Sequence, residues 1–375
     1  MTAEKSAQHK AGASPSRELP VVRTGQGEAQ LSREEFDKRF RERFYDPSFD
    51  AVTTEIDRIA DVAWTNYDQY HKSPRTRKAG PEFENPDFDL PVEWLDTRAR
   101  IIEAQKAHDS PSARRRVLLV CGASRNDKTC PGEMSKTFRL TQLAREVVES
   151  NDDFECDVLD LSYLAAEYGR QILPCKSCVS TAMPLCNWPC SCYPNHALGQ
   201  VSDWMNDIYP RWVAAHGVII LTPVNWYQAP SVLKLMIDRL VCADGGNPDP
   251  TRTHGKKPDE AKALELAGWD FPKHLSGRAF GIVVHGDAAG TEVLRRMLTD
   301  WLIDMDLVRA GNAATLDRYI GYYEPYATSH EALDRDTDMQ EETRNVARSI
   351  VATLRLMRAG RYDRPGDGLP SVREK

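Results

Sequence analysis

The stretch Gly217–Arg239, GVIILTPVNWYQAPSVLKLMIDR, decides the fold. Its opening, Gly217–Leu221, is a short apolar run of the kind that a strand covered on both faces requires. Thr222-Pro223-Val224-Asn225 then makes a backbone corner carrying two flat side chains, Trp226 and Tyr227. Ser231–Leu240 follows as an amphipathic helix. Strand, loop and helix in that order form one unit of an open α/β sheet, and such sheets bind ligands in the loops past the strands' carboxyl ends. Two rings at such a corner suit a planar ligand.

A second unit, VLLVCGASRNDKTCPGEMSKT at Val117–Thr137, offers what a phosphate needs. After the run Val117–Val120 comes Gly122-Ala123-Ser124-Arg125, and Ser135-Lys136-Thr137 opens a helix bearing Leu140, Leu143, Ala144 and Val147 on one side. Backbone N–H groups at a helix start, hydroxyls and an arginine together make an anion cradle. No G-x-x-x-x-G-K-[ST] is present, so a monophosphate fits better than a triphosphate.

Outward from these units, strands and helices continue to alternate. Phe154–Leu161 and Ala279–His285 read as strands, and Leu307–Ala313 as a weaker fifth. Helices are expected near Val201–Ala215, Glu292–Met305 and Thr337–Met357, the last burying Val346, Ile350, Leu354 and Met357. Right-handed crossovers place five parallel strands between two helical layers. The loop His285-Gly286-Asp287-Ala288-Ala289-Gly290 faces the same crevice, and its two glycines allow backbone to approach a ligand closely. His285 is a candidate to polarise a ligand carbonyl. Lys234, Asp238 and Arg239 read as a solvated or interface face.

The flanks are different. Residues 1–30 hold almost no large apolar side chains and are expected to be a disordered tail. A helical extension spans 31–114. It opens on a capping box, Ser32 and Glu35, with Phe36, Phe40 and Phe44 in one stripe. A second helix carries Val52, Ile56, Ile59 and Ala63, a loop or strap runs from Lys72 to Pro91, and a third helix carries Val92, Leu95, Ala99 and Ile102. This arm is expected to pack on the main domain or on a partner subunit. An insertion at 244–274 with a short helix at Asp259–Leu266 interrupts the domain expected over 115–320, and 321–375 forms a C-terminal helix and tail.

With 375 residues and a net charge of −7, the chain can bury a full core and lacks the basic face of a nucleic-acid binder. No apolar run reaches the roughly 18–20 residues that cross a bilayer, and no signal peptide is evident, so a cytoplasmic protein is expected. Of nine cysteines, Cys121, Cys130, Cys156 and Cys242 are scattered. Cys175, Cys178, Cys186, Cys190 and Cys192 crowd one segment with spacing C-x2-C-x7-C-x3-C-x-C, open to structural thiols, a zinc knot, an iron–sulfur cluster or a redox disulfide. The spacing fits neither a second C-x2-C of zinc sites nor the bacterial cluster run, and no bound metal is expected.

These motifs resemble the NAD(P)H-dependent FMN reductase branch of the flavodoxin-like superfamily, which includes multimeric quinone reductases and iron–sulfur flavoproteins. Gly122-Ala-Ser-Arg with Ser135-Lys-Thr is similar to the family's phosphate loop. Thr222-Pro-Val-Asn-Trp with Leu233-Lys-Leu-Met-Ile-Asp-Arg is similar to its second loop and helix, and Pro174-Cys-Lys-Ser-Cys to the segment of cysteine-bearing members. The resemblance implies a flavodoxin-like three-layer sandwich with strand order 2-1-3-4-5. It implies FMN held through its phosphate by Ser124, Arg125, Ser135, Lys136 and Thr137. Thr222, Pro223, Val224, Asn225 and Trp226 would line the isoalloxazine, with the loop containing His285, Gly286, Asp287 and Gly290 closing its other side. The expected activity is transfer of hydride from NADPH or NADH to a small acceptor, a quinone, a nitroaromatic or free flavin, by a homodimer or tetramer. A flavodoxin-like electron carrier or a cysteine-based redox sensor is the alternative. No side chain is expected to act as acid or base.

Overall fold

The structure is a computed structural model describing residues 31–68, 76–126, 135–190, 203–287, 289–322, 324–325 and 328–363. The expected disorder of residues 1–30 and the positions of Cys130, Cys192 and Ala288 lie outside them.

The alternating segments build one main sheet. Its strands are β3 (Arg115–Cys121), β4 (Phe154–Asp160), β5 (Gly217–Pro223), β6 (Ala279–Gly286), β7 (Val308–Arg309) and β8 (Thr315–Tyr319), while β1 (Thr76–Lys78) and β2 (Asp89–Pro91) form a separate antiparallel hairpin. The main order is β4-β3-β5-β6-β7, with β8 also on β6, and every pairing is parallel. The order is therefore the expected one, with a correction at the edge. The fifth place is shared by two short strands, because Gly311 and the turn Asn312–Ala314 break the run expected over Leu307–Ala313. The polar stretch expected as a strap supplies the β1–β2 hairpin.

Alternation along the strands sends side chains to two cores. Leu118, Val120, Val218, Ile220, Ile282 and Val284 point to one, and Val117, Leu119, Ile219, Leu221 and Val283 to the other. The first core is closed by α3 (Val92–Asp109), α6 (Met205–Ala214), α7 (Ser231–Arg239) and α9 (Thr291–Asp304). The second is closed by α4 (Lys136–Glu149) and α11 (Thr337–Arg358), whose Val346, Ile350 and Leu354 are buried as the periodicity requires. The remaining helices are α1 (Arg33–Arg41), α2 (Thr53–Asp68), α5 (Tyr163–Ala166), α8 (Pro258–Leu266) and α10 (Ser329–Arg335). None is long and apolar enough to cross a membrane.

In the arm, Ser32 caps α1 by accepting from the Glu35 N–H. The buried stripe of α2 is Ile56, Ala60 and Ala63, not the expected line through Val52 and Ile59, which are exposed. These residues meet Phe36 and Phe40 in a small core whose buried members come from α1 and α2, with Leu31 and Phe44 packed at its edge. Likewise α3 buries Trp94, Leu95 and Ile101 and leaves Ile102 exposed. Ile101 joins the main core, and Arg100 pairs with Asp207 of α6 at 2.7 Å.

Arg239 requires the largest correction. Its side chain and that of Asp203 are both wholly buried, 2.5 Å apart, and its other nitrogen donates to the Leu173 carbonyl at 3.0 Å. Neighbouring Asp203 and the polar groups around it hold the guanidinium charged despite the loss of water. Removing one partner of such a pair strands a buried charge. Asp203→Ala is expected to lose about 3–5 kcal/mol in a urea titration, and a loss under 1 kcal/mol would show the pair to be solvated.

At the amino end of the sheet, burial and nearby arginines push His108 and His216 down to about 4. Both imidazoles are neutral when folded and protonate more readily once unfolded, with an ordinary value near 6.5. Stability is therefore full above pH 6.5 and falls as pH drops toward 4. Neither ring nitrogen of His108 has a hydrogen-bond partner among the described residues, so His108→Leu breaks none of those bonds. This variant should match the wild type at pH 8 and lose less stability between pH 6.5 and 4. Parallel profiles would refute the assignment.

Candidate functional site

The carboxyl ends of β3, β5 and β6 lie side by side, and the helices after β3 and β5 go to opposite faces of the sheet. Gly122 leaves β3 with its N–H on the Leu221 carbonyl at 2.7 Å. A Cβ at Gly122 would stand 2.9 Å from Leu233 and 3.1 Å from Thr222, so only glycine lets the first loop press on the second. Farther along, buried Asn126 donates to Asp160 at 3.1 Å and to Ser162 at 2.7 Å. Asp160 in turn accepts from the Ser162 N–H and hydroxyl. This network ties the first loop to the end of β4 and leaves Arg125 exposed beside half-buried Ser124.

Ser135 caps α4, its hydroxyl accepting from the Phe138 N–H at 3.2 Å. Thr137 is buried and its hydroxyl meets His285 Nε2 at 2.7 Å. Burial, with the charge of Lys136, pushes His285 down to about 3, so the imidazole is neutral at ordinary pH. The ring lies inward on the α4 side. It pins the helix start to β6, and does not reach out as a carbonyl-polarising candidate would.

Lys136 donates to the Ile320 carbonyl at 3.3 Å. Burial lowers its pKa, while the charges of Asp287 and Glu324 raise it and that of Arg125 lowers it further. These four groups thus share one electrostatic neighbourhood, which joins the first loop, the β6 loop and the end of β8. The α4 start gives that neighbourhood N–H groups without helical carbonyl partners.

The second loop is a two-residue hairpin. Asn225 and Gln228 exchange both backbone hydrogen bonds, at 2.9 and 3.0 Å. Between them Trp226 and Tyr227 have φ of +49° and +66°. Turns with two positive φ values favour Asn-Gly, and each L side chain there costs about 1–2 kcal/mol. The turn nevertheless holds the two largest side chains available, 95% and 60% exposed. Strain of this kind gathers at ligand sites. Gly290 (φ +112°) supports the turn from below, because a Cβ there would stand 3.0 Å from Tyr227 Cα and 3.3 Å from Val224. Val224 also donates its N–H to the His285 carbonyl at 2.8 Å.

The structure thus gathers Ser124, Arg125, Ser135, Lys136 and Thr137, the Thr222–Trp226 corner, and Gly286, Asp287 and Gly290 on one rim. The hydroxyls of Ser135 and Thr137 are engaged in a cap and a histidine contact, whereas Arg125 is exposed at the rim. Buried Thr222 has its hydroxyl on the Pro223 carbonyl at 3.0 Å. A helix start with two nearby cations fits a monophosphate, and an exposed aromatic pair fits a flat ring, so this rim suits FMN. Sequence reasoning missed the Asn126–Asp160–Ser162 network. Its signal was the D-x-S at a strand's carboxyl end, which favours a side chain closing its own turn. Among the described residues no three His, Cys, Asp or Glu side chains converge as a metal site.

Comparisons bear on the same region. A search of curated proteins finds no match. Among solved structures, RosB with a bound 8-demethyl-8-formylriboflavin phosphate intermediate is 13% identical, covering 70% of this chain and 95% of its own at a TM-score of 0.45. An azoreductase from Bacillus anthracis is 14% identical, covering 62% and 98% at 0.35. An NADH:FMN oxidoreductase, in apo form, is 12% identical, covering 67% and 92% at 0.36. The family model for NADPH-dependent FMN reductase matches residues 115–319, which is β3 through β8 and more than half of the chain. The chain belongs to that family, flavoprotein oxidoreductases that hold FMN and draw reducing equivalents from NAD(P)H.

Proposed function

We propose that this protein passes electrons from NADPH or NADH through FMN to a small acceptor of the quinone, nitro- or azo-aromatic, or free flavin class. The observation that carries this reading is the strained, outward-facing Trp226–Tyr227 turn on the same rim as the α4 start. FMN, when bound, supplies the redox chemistry, and the protein supplies position and electrostatics. Arg125, Lys136 and the first N–H groups of α4 hold the phosphate, with Ser135 and Thr137 shaping that helix start. Ser124 lines the same loop. The corner Thr222–Asn225 with Trp226 lines the ring, and Gly286, Asp287 and Gly290 bound its far side. His285 acts as a positioning residue through Thr137.

We place the FMN domain at 115–320, with 31–114 and 321–375 as flanking units, in a cytoplasmic homodimer or tetramer. A sedimentation mass of one chain would refute the oligomer. The runner-up, an electron carrier without turnover, is separated by one assay. Steady NADPH consumption with a quinone marks the enzyme, and a single stoichiometric reduction marks the carrier.

Two variants test the site. Arg125→Ala with Ser135→Ala removes a charged phosphate partner and the cap, and should weaken FMN by on the order of 10- to 100-fold in a fluorescence titration. Unchanged affinity would refute the phosphate assignment. Trp226→Asn with Tyr227→Gly gives the turn the residues its backbone prefers, so stability should rise by about 1–2 kcal/mol while FMN retention falls. If stability falls instead, the turn is held by its aromatic rings and not strained by them.

A further inference from the structure

Outside the rim, the described cysteines divide sharply by environment. Cys121, Cys186, Cys190 and Cys242 are buried, and loss of solvation raises the thiols of Cys186 and Cys242 well above their usual range. Cys156 is pushed up to about 12, also mainly by burial. Such thiols are poor nucleophiles.

Cys175 and Cys178 differ. Both are only half-buried and carry no disulfide, and the sulfur of each accepts from a donor. The Ser177 backbone N–H donates to Cys175 Sγ at 3.3 Å, and Lys256 Nζ lies 3.5 Å from Cys178 Sγ. Ser177 has φ of +51°, and the Lys176–Ser177 peptide turns its N–H back onto the Cys175 sulfur. Cys175 also lines a cleft of about 410 Å³ with Val179, Lys234, Ile237 and Trp301, open enough to admit a small reagent.

We propose that Cys175 and Cys178 form a reversible dithiol–disulfide pair, closed by a hydroperoxide and reopened by a low-molecular-weight thiol. In the first step the Cys175 thiolate takes an oxygen from the peroxide, giving a sulfenic acid and releasing the corresponding alcohol, or water from hydrogen peroxide. In the second the Cys178 sulfur attacks the sulfenic sulfur and expels water. The two thiols together lose two electrons and two protons, and the peroxide is reduced. Two equivalents of a thiol such as glutathione reverse the oxidation and leave as their own disulfide. The Lys256 ammonium, from the 244–274 insertion, keeps Cys178 reactive for the second step.

Trypsin provides the test, because Lys176 lies between the two cysteines. The full-length protein is reduced, treated with one equivalent of hydrogen peroxide, alkylated with iodoacetamide and digested. Peptide Gln171–Lys176 should appear joined to Ser177–Arg211, with fragmentation placing the bond at Cys178, and glutathione should release it. In Cys178→Ser, a dimedone adduct should accumulate on Cys175 instead. In Lys256→Met, closure should slow severalfold with the folded spectrum unchanged. The proposal is overturned if Gln171–Lys176 stays alkylated after peroxide. It is equally overturned if its bond runs to Cys186, Cys190 or Cys192, or if the purified protein carries zinc or iron that these two thiols bind.

Discussion

The divergence of two helices from neighbouring strands governs this molecule. β3 and β5 are paired from Val117↔Gly217 to Cys121↔Leu221, so their ends lie at the same height. The helix after β3 turns to the face shared with α11, and the helix after β5 turns to the face shared with α6 and α9. Among the described residues no helix then covers the space directly above the two strand ends. A parallel sheet buried on both faces has no other opening of this kind. The position of the site therefore follows from strand order before any particular side chain is considered.

The loops around that opening solve opposite problems. The first is anchored: Asn126 is held by Asp160 and Ser162, Ser135 caps its helix, and Thr137 is fixed by a neutral histidine. An anion site gains from such order, since N–H groups already aimed at the ligand need no reorganisation when it arrives. The second loop carries two aromatic residues in a left-handed turn and exposes both rings. Its backbone cost is offset by hydrogen bonds within the turn and by the glycine beneath it. Order on one side and an exposed flat surface on the other match a ligand with a charged tail and a planar head.

Much of this was legible in the sequence, and the misses share a cause. β3, β5 and β6 were visible because strands covered on both faces need uninterrupted apolar runs, and the burial of all eight residues of β6 shows how strict that demand is. Strand order was legible only through the family resemblance, because right-handed connections alone leave it open. The split of the edge strand was hidden because Leu307–Ala313 is apolar enough to read as one run, while the interruption depends on Gly311 taking a positive φ. Periodicity misassigned the α2 stripe because apolar residues occur on two of its faces, and only contact with Phe36 and Phe40 selects one. Arg239 and His285 show the same limit. A charged or polar residue type predicts solvent, and only a partner distant in sequence, Asp203 or Thr137, makes burial tolerable. In the site itself, the residue types at the rim could be read directly, but which hydroxyls were already engaged could not.

One structural consequence extends past the sheet. α6 buries Met205, Ile208, Tyr209, Trp212, Val213 and Ala214, more than a single face of so short a helix can hold. A helix apolar nearly all round must be covered on both sides. The sheet covers one side, and α3 with the segment around Trp188 covers the other, where Trp94 Nε1 also donates to the Pro189 carbonyl at 2.9 Å. The family match begins at residue 115, so α3 lies outside it while part of the core it seals lies inside. The extension is then no loose appendage at this point. Deleting α3 would expose the back of α6, whose Tyr209 donates its hydroxyl to the Arg239 carbonyl at 3.0 Å, beside the buried Arg239–Asp203 pair. The buried pair in turn ties α7, and through it the aromatic turn, to the segment that carries the cysteines. The additions on this face thus bear on the geometry of the rim through α7, whereas the face built from α4 and α11 reaches it directly.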